Sequence, residues 1–325
     1  MVFKRIHQII VYLCKDKKKE RTSAFQMLSI CIPIFNFDVT RLVNDLRDQA
    51  IGIGHPFEII LMDDASDEKF QKTNRKLNGE NIRYIQLDEN IGRSRIRNKL
   101  AESACYPYLI FMDCDSSVPS ENYIQSYLPF CKPSVVCYGG RIYENRKPDK
   151  KFLLRWKYGV CRESLPAMIR KKNPNHSFCT NNFLIHKQIF EQIRFNEELA
   201  GYGHEDTYFG LELSAKKITI QHIDNPLIHI GLESASEFLG KTRNGVVNLI
   251  KVDKLLSELY PEYINHSKLI RTRNRLRKWH LTKPAILFFR LFEKGMRANL
   301  LGANPSLVIF DLYKLGILCL NPTNQ

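Results

Sequence analysis

Acidic residues that directly follow an apolar run are the residues of this sequence best suited to chemistry. Asp113 and Asp115 stand two positions apart, immediately after the strand-like run at 109–112. Two carboxylates at this spacing can share one divalent cation, directly or through water, because hard cations prefer oxygen ligands. Such a cation would stabilise the negative charge of a departing diphosphate. The alternative is that both acids belong to a solvated turn or cap a helix.

A third acid and an arginine indicate the same kind of ligand. Asp64 follows the apolar run at 58–62, where its carboxylate could accept hydrogen bonds from a nucleoside base or ribose. The alternative for Asp64 is an Asx turn. Arg93, Arg95 and Arg97 alternate along the start of a predicted helix, and arginine binds diphosphate by paired hydrogen bonds as well as by charge. We favour Arg97 for this contact and assign Arg93 and Arg95 to a basic surface.

Two more acids and a histidine occur later in the chain. Glu205 and Asp206 follow the glycine-containing turn at 201–203, where a carboxylate could act as general base toward an attacking hydroxyl. The alternative is a helix start, where the macrodipole favours acids. His229 follows an apolar run, and its neutral imidazole would complete a metal site begun by Asp115. A lone histidine in such a run is otherwise a core residue.

The first part of the chain alternates between strand-like and helix-like segments. Strands are predicted at 29–34, 57–62, 82–87, 108–112 and 135–138, and helices at 39–50, 69–77, 92–103 and 120–130, the last with Ser120 as its N-cap. This alternation predicts an α/β fold with a mostly parallel sheet and right-handed crossovers. Ligands of such sheets bind outside the carboxyl ends of the strands, which is where these acids lie in the sequence.

The last part of the chain is predicted to be mainly helical. It contains a basic stretch at 268–278 and apolar segments at 285–292 and 307–320, each shorter than the roughly 18 residues of a spanning helix. These segments either lie in a membrane interface beside anionic lipid or form an ordinary helical pack with a solvated basic face. The predicted parts are a basic N-terminal segment at 1–27, an α/β domain at 28–235 and a helical region at 236–325.

Net charge, cysteine content and the N-terminal sequence indicate which partners and which cellular compartment to expect. A formal net charge of +15 on 325 residues indicates an anionic partner. The nine cysteines include no C-x-x-C pair, which favours reduced thiols in a cytosolic protein. The apolar core at 9–14 is too short for a signal peptide. We therefore expect a cytoplasmic protein that either is free or associates peripherally with the inner face of the cell membrane.

Taken in order, these motifs resemble those of family 2 glycosyltransferases with the GT-A fold, from about residue 28 to residue 231. The resemblance rests on Pro33 and Asn36 of the first strand, D-D-x-S at 63–66, N-x-G with R-N at 90–98, D-x-D at 113–115, G-x-G-x-E-D at 201–206 and H-x-G at 229–231. Each motif is common alone, whereas their joint occurrence in this order is not. Family members often have tryptophan at the position of Tyr202, so the acceptor is less well defined by the resemblance than the donor.

The resemblance implies a role for each predicted site residue. The donor would be bound by Pro33, Asn36, Asp64, Arg97 and Asp113. Mn²⁺ or Mg²⁺ would be held by Asp115 and His229, with Asp113 near the ribose or a metal-bound water. Asp206 would be the base, and the acceptor would be bound by Tyr202, Gly203 and Glu205. The implied reaction is an inverting transfer from a nucleotide diphosphate sugar, such as a UDP-sugar, to a hydroxyl. The acceptor would be a glycan or a lipid-linked glycan of cell-surface polysaccharide synthesis.

Other functions fit the sequence less well. A dinucleotide-dependent oxidoreductase needs a G-x-G-x-x-G turn after its first strand, and this chain has Phe35-Asn36-Phe37 there. A sugar nucleotidyltransferase shares the acid-after-strand geometry and is the nearest enzymatic alternative. A basic nucleic-acid-binding protein would use the stretch at 268–278, but only Trp279 adds an aromatic ring to it. We therefore expect no nucleic-acid partner.

Overall fold

The computed structural model of the chain describes residues 27–198, 203–259 and 267–321. These residues divide into two compact units that are interleaved in sequence. Unit 1 comprises the described residues up to Gly140 together with Cys179–Phe195 and Ile218–Leu227, and unit 2 comprises Arg141–Phe178, the described part of Asn196–Lys217 and the described residues from Ile228 onward. The domain boundaries drawn from the sequence at 28 and 235 stay predictions.

Ten strands alternate with eleven α-helices in the described part of the chain. The strands are β1 (Leu28–Ile34), β2 (Phe57–Asp63), β3 (Ile82–Gln86), β4 (Tyr108–Met112), β5 (Ser116–Ser117), β6 (Val136–Tyr138), β7 (Arg141–Ile142), β8 (Asn182–His186), β9 (Ile220–His222) and β10 (Leu227–His229). The helices are α1 (Thr40–Gly52), α2 (Glu68–Asn74), α3 (Arg93–Ser103), α4 (Leu153–Tyr158), α5 (Ala167–Arg170), α6 (Lys187–Ile193), α7 (Glu205–Ala215), α8 (Ala235–Leu259), α9 (Lys268–Lys278), α10 (Thr282–Leu300) and α11 (Leu307–Leu320).

A seven-stranded sheet in the order β3-β2-β1-β4-β8-β6-β9 forms the centre of unit 1. Its first four strands are parallel to one another, β8 runs antiparallel to β4 and to β6, and β9 is parallel to β6. The central strands are mostly apolar because both faces of the sheet are covered. In β2 every residue is buried, including the acids Glu58 and Asp63. The predicted α/β fold with a mostly parallel sheet is confirmed.

Strand β1 lies where the strand order reverses direction. It pairs with β2 as far as Ile34 and Asp63, but its pairing with β4 ends at Cys31 and Phe111. Pro33, which has no N–H to donate, lies in the part of β1 beyond its pairing with β4. The backbone pairing of β1 with β4 thus stops before the carboxyl ends of the two strands, at the reversal point where open α/β sheets bind ligands.

The predicted helix at 120–130 is wrong. Turns occupy its first half, and a 3₁₀ helix spans Gln125–Phe130 with Pro129 inside it. Proline removes a backbone donor, and the hydroxyls of Tyr123 and Tyr127 both donate to Oδ1 of Asn182 at 2.6 Å. These buried contacts determine the path of the segment more strongly than its helical pattern. Asn182 is a fully buried residue of β8.

Helices α8 to α11 pack around an apolar core in unit 2, which confirms the helical prediction for this region. Phe310, Tyr313 and Ile317 of α11 are buried in this core, so the segment at 307–320 lies largely in the interior of unit 2. Gly316 allows close helix packing, because a Cβ there would overlap the ring of Phe289 on α10. No helix in the described part of the chain is long and apolar enough to cross a membrane.

Candidate active site

Asp64 holds the turn that precedes α3. Its Oδ1 accepts the backbone N–H of Ile91 at 2.7 Å, and its Oδ2 accepts that of Gly92 at 3.1 Å. Gly92 has a φ of 82°, in the region that favours glycine, and it directly precedes the first residue of α3. The side chain of Asn90 donates to the Asp64 carbonyl at 3.2 Å. The loop after β2 and the turn at 90–92 are thus fixed to each other through one acid.

Burial dominates the electrostatics of Asp64. Only 5% of the residue is exposed, and loss of solvation raises the pKa of its carboxyl above the usual 3.8. The two backbone N–H groups and the charge of Lys99 oppose this shift, whereas the charge of neighbouring Asp63 adds to it. The net direction is upward, so the donors around Asp64 do not fully replace the water that it lost.

The loops after β1 and β2 are tied together by Asn36. Its backbone N–H donates to Oγ of Ser66 at 2.8 Å, and its Oδ1 accepts the N–H of Asp67 at 2.7 Å. Ser66 in turn donates its N–H to Oδ1 of Asp63 at 2.7 Å. Asn36 and Ala65 both have positive φ, at 51° and 58°, and such conformations cluster at functional sites. The sequence offered an Asx turn as the alternative for 63–66, and the contact of Ser66 with Asp63 is of that kind, whereas the contact of Ser66 with Asn36 was not predicted.

Arg97 and Asp113 are brought together in unit 1. Arg97 Nη2 donates to Asp113 Oδ1 at 2.7 Å, and Arg97 Nη1 donates to the Arg93 carbonyl at 3.2 Å. The Arg97 side chain is only 4% exposed, whereas that of Asp113 is 25% exposed. The guanidinium therefore positions Asp113 at the end of β4, and the direct contact with a donor that the sequence favours for Arg97 stays a prediction.

The acids after β4 are suited to a hard cation but do not form a complete cage. Asp113 and Asp115 are both partly buried and directly follow β4, at the reversal point of the sheet. Across residues 27–198, 203–259 and 267–321, no group of three or more His, Cys, Asp or Glu side chains could hold a metal ion. Mg²⁺-type sites commonly use one or two carboxylates and take the remaining ligands from substrate phosphates and water. The donor set after β4 fits a cation of that kind.

In unit 2, the predicted base and acceptor residues begin helix α7. Glu205 is buried, and Asp206 Oδ1 accepts the N–H of Thr207 at 2.7 Å. Both acids lie in the first turn, where the helix dipole stabilises negative charge. The carbonyl of Gly203 accepts a hydrogen bond from Asn248 Nδ2 at 2.8 Å, which ties this turn to α8. Tyr202, predicted to contact the acceptor, lies outside the described residues.

His229 ends β10 and borders a cavity within unit 2. The histidine is buried, and its ring meets that of Tyr143 edge-on, at 5.2 Å between centroids and an interplanar angle of 66°. The cavity has a volume of about 310 Å³, and its lining includes Trp156, Arg146 and Lys147. An aromatic ring with basic side chains can bind an anionic carbohydrate-type ligand through stacking and charge.

A buried ion cluster lies beside His229 and was missed from the sequence. Glu163 accepts from Arg155 Nη1 and Nη2, both at 3.2 Å, from Arg141 Nη1 at 3.4 Å and from the hydroxyl of Tyr143. Burial acts to raise the pKa of Glu163, but Arg155, Arg141 and the Tyr143 hydroxyl outweigh it and lower that pKa to about 2. Because Tyr143 contacts both Glu163 and His229, this cluster fixes the surroundings of the histidine.

Comparison with known proteins decides the family. The model of the family described as "Glycosyl transferase family 2" matches residues 29–194, about half of the chain. The chain belongs to glycosyl transferase family 2. The family predicted from the sequence motifs is therefore confirmed. The matched residues of this family 2 chain include Pro33, Asn36, Asp64, Arg97, Asp113 and Asp115, and they end before Glu205, Asp206 and His229.

Two curated relatives are similar to this family 2 chain at the level of sequence. Chondroitin synthase of Pasteurella multocida is 27% identical over 246 residues, which cover 62% of this chain and 24% of that protein. Teichoic acid poly(glycerol phosphate) polymerase of Staphylococcus epidermidis is 27% identical over 183 residues, which cover 54% of this chain and 24% of that protein. The chain spans about a quarter of the length of these relatives.

Among solved structures, one match is the mannosyltransferase PcManGT from Pyrobaculum calidifontis in complex with GDP-Man and Mn²⁺. Its TM-score is 0.48 at 13% identity, and the match covers 75% of this chain and 70% of that one.

Proposed function

We propose that this family 2 chain is an inverting glycosyltransferase that moves a sugar from a nucleotide diphosphate sugar, a UDP-sugar, to an acceptor hydroxyl. The observation that carries the proposal is the pair of acids, Asp113 and Asp115, which directly follow β4 at the reversal point of the sheet. An open α/β sheet binds nucleotides at this point, and an acid pair there suits the diphosphate–cation complex of such a donor.

The donor-binding residues are assigned within unit 1. Asp64 and the turn that it holds at 90–92 contact the nucleoside base, and Asn36 and Pro33 form the opposite side of the donor site after β1. Asp113, positioned by Arg97, contacts the ribose. Mn²⁺ or Mg²⁺ would be held by Asp115 and His229, and it would neutralise the charge that develops on the leaving diphosphate.

The acceptor residues are assigned within unit 2. Asp206 accepts the proton of the acceptor hydroxyl while that oxygen attacks the anomeric carbon of the donor. The bond between the anomeric carbon and the diphosphate oxygen breaks in the same displacement, so the configuration at that carbon inverts. Glu205, Gly203 and Tyr202 orient the acceptor. Asp206 lies in the first turn of α7, where the helix dipole favours negative charge.

The acceptor is proposed to be a glycan or a lipid-linked glycan in cell-surface polysaccharide synthesis, and the transferred sugar to be a hexose or an N-acetylhexosamine. The names of the two curated relatives, a chondroitin synthase and a teichoic acid polymerase, support this class of product. The proposed location is the cytoplasm, at the inner face of the membrane.

A thermal-shift screen of nucleotide sugars with and without Mn²⁺ tests the proposal. A ligand at about 100 times its dissociation constant stabilises the folded protein by about 2.7 kcal/mol. We expect one UDP-sugar to raise the melting temperature only when Mn²⁺ is present. Asp115→Asn is expected to lose this metal-dependent shift, and the exposed acid Glu121 of unit 1 provides the control Glu121→Gln.

Product analysis then separates the enzyme classes. A glycosyltransferase releases UDP from the stabilising donor when a glycan acceptor is supplied, and Asp115→Ala is expected to abolish this release. A nucleotidyltransferase would instead form pyrophosphate from a sugar phosphate and a nucleoside triphosphate. Stabilisation that does not depend on Mn²⁺, or UDP release by Asp115→Ala at the wild-type rate, would contradict the metal assignment.

A further inference from the structure

Helix α10 carries a row of apolar side chains on its solvent side. Its opposite face packs into the core of unit 2 through Phe289, Met296 and Leu300, which are at most 7% exposed. The solvent-facing side chains and their exposed fractions are Leu287 at 59%, Phe288 at 47%, Leu291 at 68% and Phe292 at 53%. We call these four residues the apolar stripe. Apolar surface of this extent on one face marks an interaction site, because water solvates it poorly.

The apolar stripe is continuous along the helix. Pro284 precedes it and Gly295 and Ala298 follow it at spacings of three and four residues, and all three are exposed. The rings of Phe288 and Phe292 lie 4.7 Å apart between centroids, so they form one surface. Two further large apolar side chains are exposed in the connection that precedes α10, Trp279 at 64% and Leu281 at 43%.

A row of basic side chains runs along one edge of the apolar stripe. Lys283, Arg290, Lys294 and Arg297 recur at helical spacing beside it, and all four are exposed. Glu293 is the one acid in the sequence of α10, and it forms an ion pair with Arg243 at 3.7 Å. Helix α9 contains no acid, and five of its six lysines and arginines are exposed; the sixth, Arg273, is buried and paired with Asp253.

We propose that the apolar stripe and its basic edge bind the surface of an anionic lipid bilayer, with α10 lying in the membrane interface. A helix with one apolar face and a cationic border binds this way: its apolar side chains enter the acyl boundary while its cations contact the lipid phosphates. The biological purpose of this membrane binding rests on the proposed function, because binding would bring the enzyme to a lipid-linked or membrane-attached glycan. Its physical basis is α10 alone.

Charge argues against a second copy of this chain as the occupant of the apolar stripe. The chain has a formal net charge of +15, and a copy that packed stripe against stripe would bring two basic edges together. Like charges at the border of an interface oppose association, whereas an anionic bilayer complements them. The segment at 307–320 differs from α10, because Phe310, Tyr313 and Ile317 are buried in the core of unit 2 and its exposed large apolar side chains are Val308 and Leu312.

Vesicle co-sedimentation tests the proposal without substrate or activity. The full chain is expected to bind vesicles that contain phosphatidylglycerol, to bind pure phosphatidylcholine vesicles far more weakly, and to lose affinity as salt is raised. Leu287→Gln/Leu291→Gln is expected to weaken binding by at least about tenfold, because both leucines leave the acyl boundary. The matched control is Ile51→Gln, which changes an apolar side chain that is 62% exposed on α1.

The charge contribution is measured in the same way. Lys283→Gln/Lys294→Gln is expected to weaken binding about 25-fold, at about fivefold for each cation near the lipid surface. Lys171→Gln/Lys172→Gln removes two exposed cations elsewhere in unit 2 and is expected to have a much smaller effect. Thermal unfolding of each variant checks that the fold is retained.

Three results would overturn the proposal. The first is an absence of wild-type binding to anionic vesicles, and the second is a leucine variant that binds as tightly as Ile51→Gln. The third is self-association of the wild type in sedimentation velocity that the leucine variant loses while its vesicle binding is unchanged, which would assign the stripe to a second copy. Donor-induced thermal stabilisation by UDP and Mn²⁺ is unaffected by these variants, so failure of membrane binding leaves the proposed enzyme activity standing.

Discussion

Asp64 in unit 1 and Glu163 in unit 2 are both largely removed from water, but they are held by different donors. Asp64 accepts the backbone N–H groups of Ile91 and Gly92, which are dipoles without net charge. Glu163 accepts from guanidinium groups, chiefly that of Arg155. Burial therefore prevails at Asp64 and raises the pKa of that carboxyl, whereas positive charge prevails at Glu163 and lowers its pKa.

The type of donor distinguishes an acid that is suited to binding a ligand from an acid that stabilises the fold. A carboxylate that accepts hydrogen bonds only from neutral donors has no counter-charge within the protein, so hydrogen-bond donors of a bound molecule can still stabilise its negative charge. A carboxylate surrounded by cations is already neutralised. Asp64 therefore has the environment expected of a nucleoside-binding residue, and Glu163 has that of a residue that holds its own neighbourhood together. Substitutions at these and similar acids distinguish whether the type of donor or the degree of burial causes the opposite pKa shifts of Asp64 and Glu163.

The largest expected effect comes from breaking the ion cluster of unit 2. Glu163→Gln removes the carboxylate shared by buried Arg155 and partly buried Arg141, and Arg155 keeps only its contact with Glu233. Breaking a buried pair costs about 3–5 kcal/mol, so we expect a loss near the lower end of that range. Urea unfolding followed by circular dichroism measures the change in the free energy of unfolding. Glu144→Gln, at an exposed acid of the same unit, should change that free energy by less than about 0.5 kcal/mol. Equal losses in the two variants would show that the cluster does not stabilise unit 2.

The pH dependence of stability should have opposite signs at the two acids. The folded-state pKa of Glu163, about 2, lies below its usual 4.5, so its stabilising contribution is present above pH 4.5 and is lost as pH falls toward 2. The pKa of Asp64 lies above its usual 3.8, so its contribution is full below pH 3.8 and is lost as pH rises through the folded-state pKa.

Urea unfolding at a series of pH values measures both signs. As the solution is acidified, the stability advantage of the wild type over Glu163→Gln should shrink, while its advantage over Asp64→Asn should grow. If both stability differences changed in the same direction, the donors around the two acids would be equivalent, and the proposed distinction between Asp64 and Glu163 would be contradicted.

A smaller effect is expected when the charge of Asp64 is removed. Asp64→Asn keeps one acceptor oxygen and places an NH₂ group near a backbone N–H of the turn at 90–92. Loss of one neutral hydrogen bond within the protein lowers stability by about 1 kcal/mol. The hydrogen bond from the nucleoside base to the charged carboxylate is stronger, about 1.5–3 kcal/mol, so its loss should lower UDP affinity at least about tenfold. Isothermal titration with UDP and Mn²⁺ measures this loss. Asp67→Asn, at an exposed acid of the same loop, is the control, and an equal affinity of the two variants would remove Asp64 from the donor site.

Local sequence patterns were sufficient for the part of the fold that positions the donor side. The first four strands were predicted to within about one residue, because apolar runs bounded by turn residues are local signals. Asp64 and Asp113 could be assigned to strand ends for the same reason. The segment at 120–130 shows the limit of such signals, since its helical spacing was overridden by Pro129 and by buried tyrosine contacts with a residue far along the chain.

Contacts between distant side chains were beyond the sequence. Arg97 and Asp113 are 16 residues apart, and no local rule pairs them; the sequence instead directed Arg97 toward a ligand. The cluster around Glu163 also contains Glu233, which contacts Arg155 Nε at 3.3 Å across 78 positions of the sequence. Only the packing of unit 2 brings these charges together, and in the sequence they read as ordinary charges in connecting segments.

The smallest expected effect, at the pair of Arg194 and Glu102, separates donor type from burial. This pair joins a guanidinium to a carboxylate, as at Glu163, but its side chains are 47% and 58% exposed. Water already solvates both charges, so Glu102→Gln should change the free energy of unfolding by less than about 0.5 kcal/mol, and added salt should reduce even that. If urea unfolding gave a loss comparable to that of Glu163→Gln, charge alone would explain the strength of the unit 2 cluster. A negligible loss means that a guanidinium stabilises an acid strongly here only where the pair is removed from water.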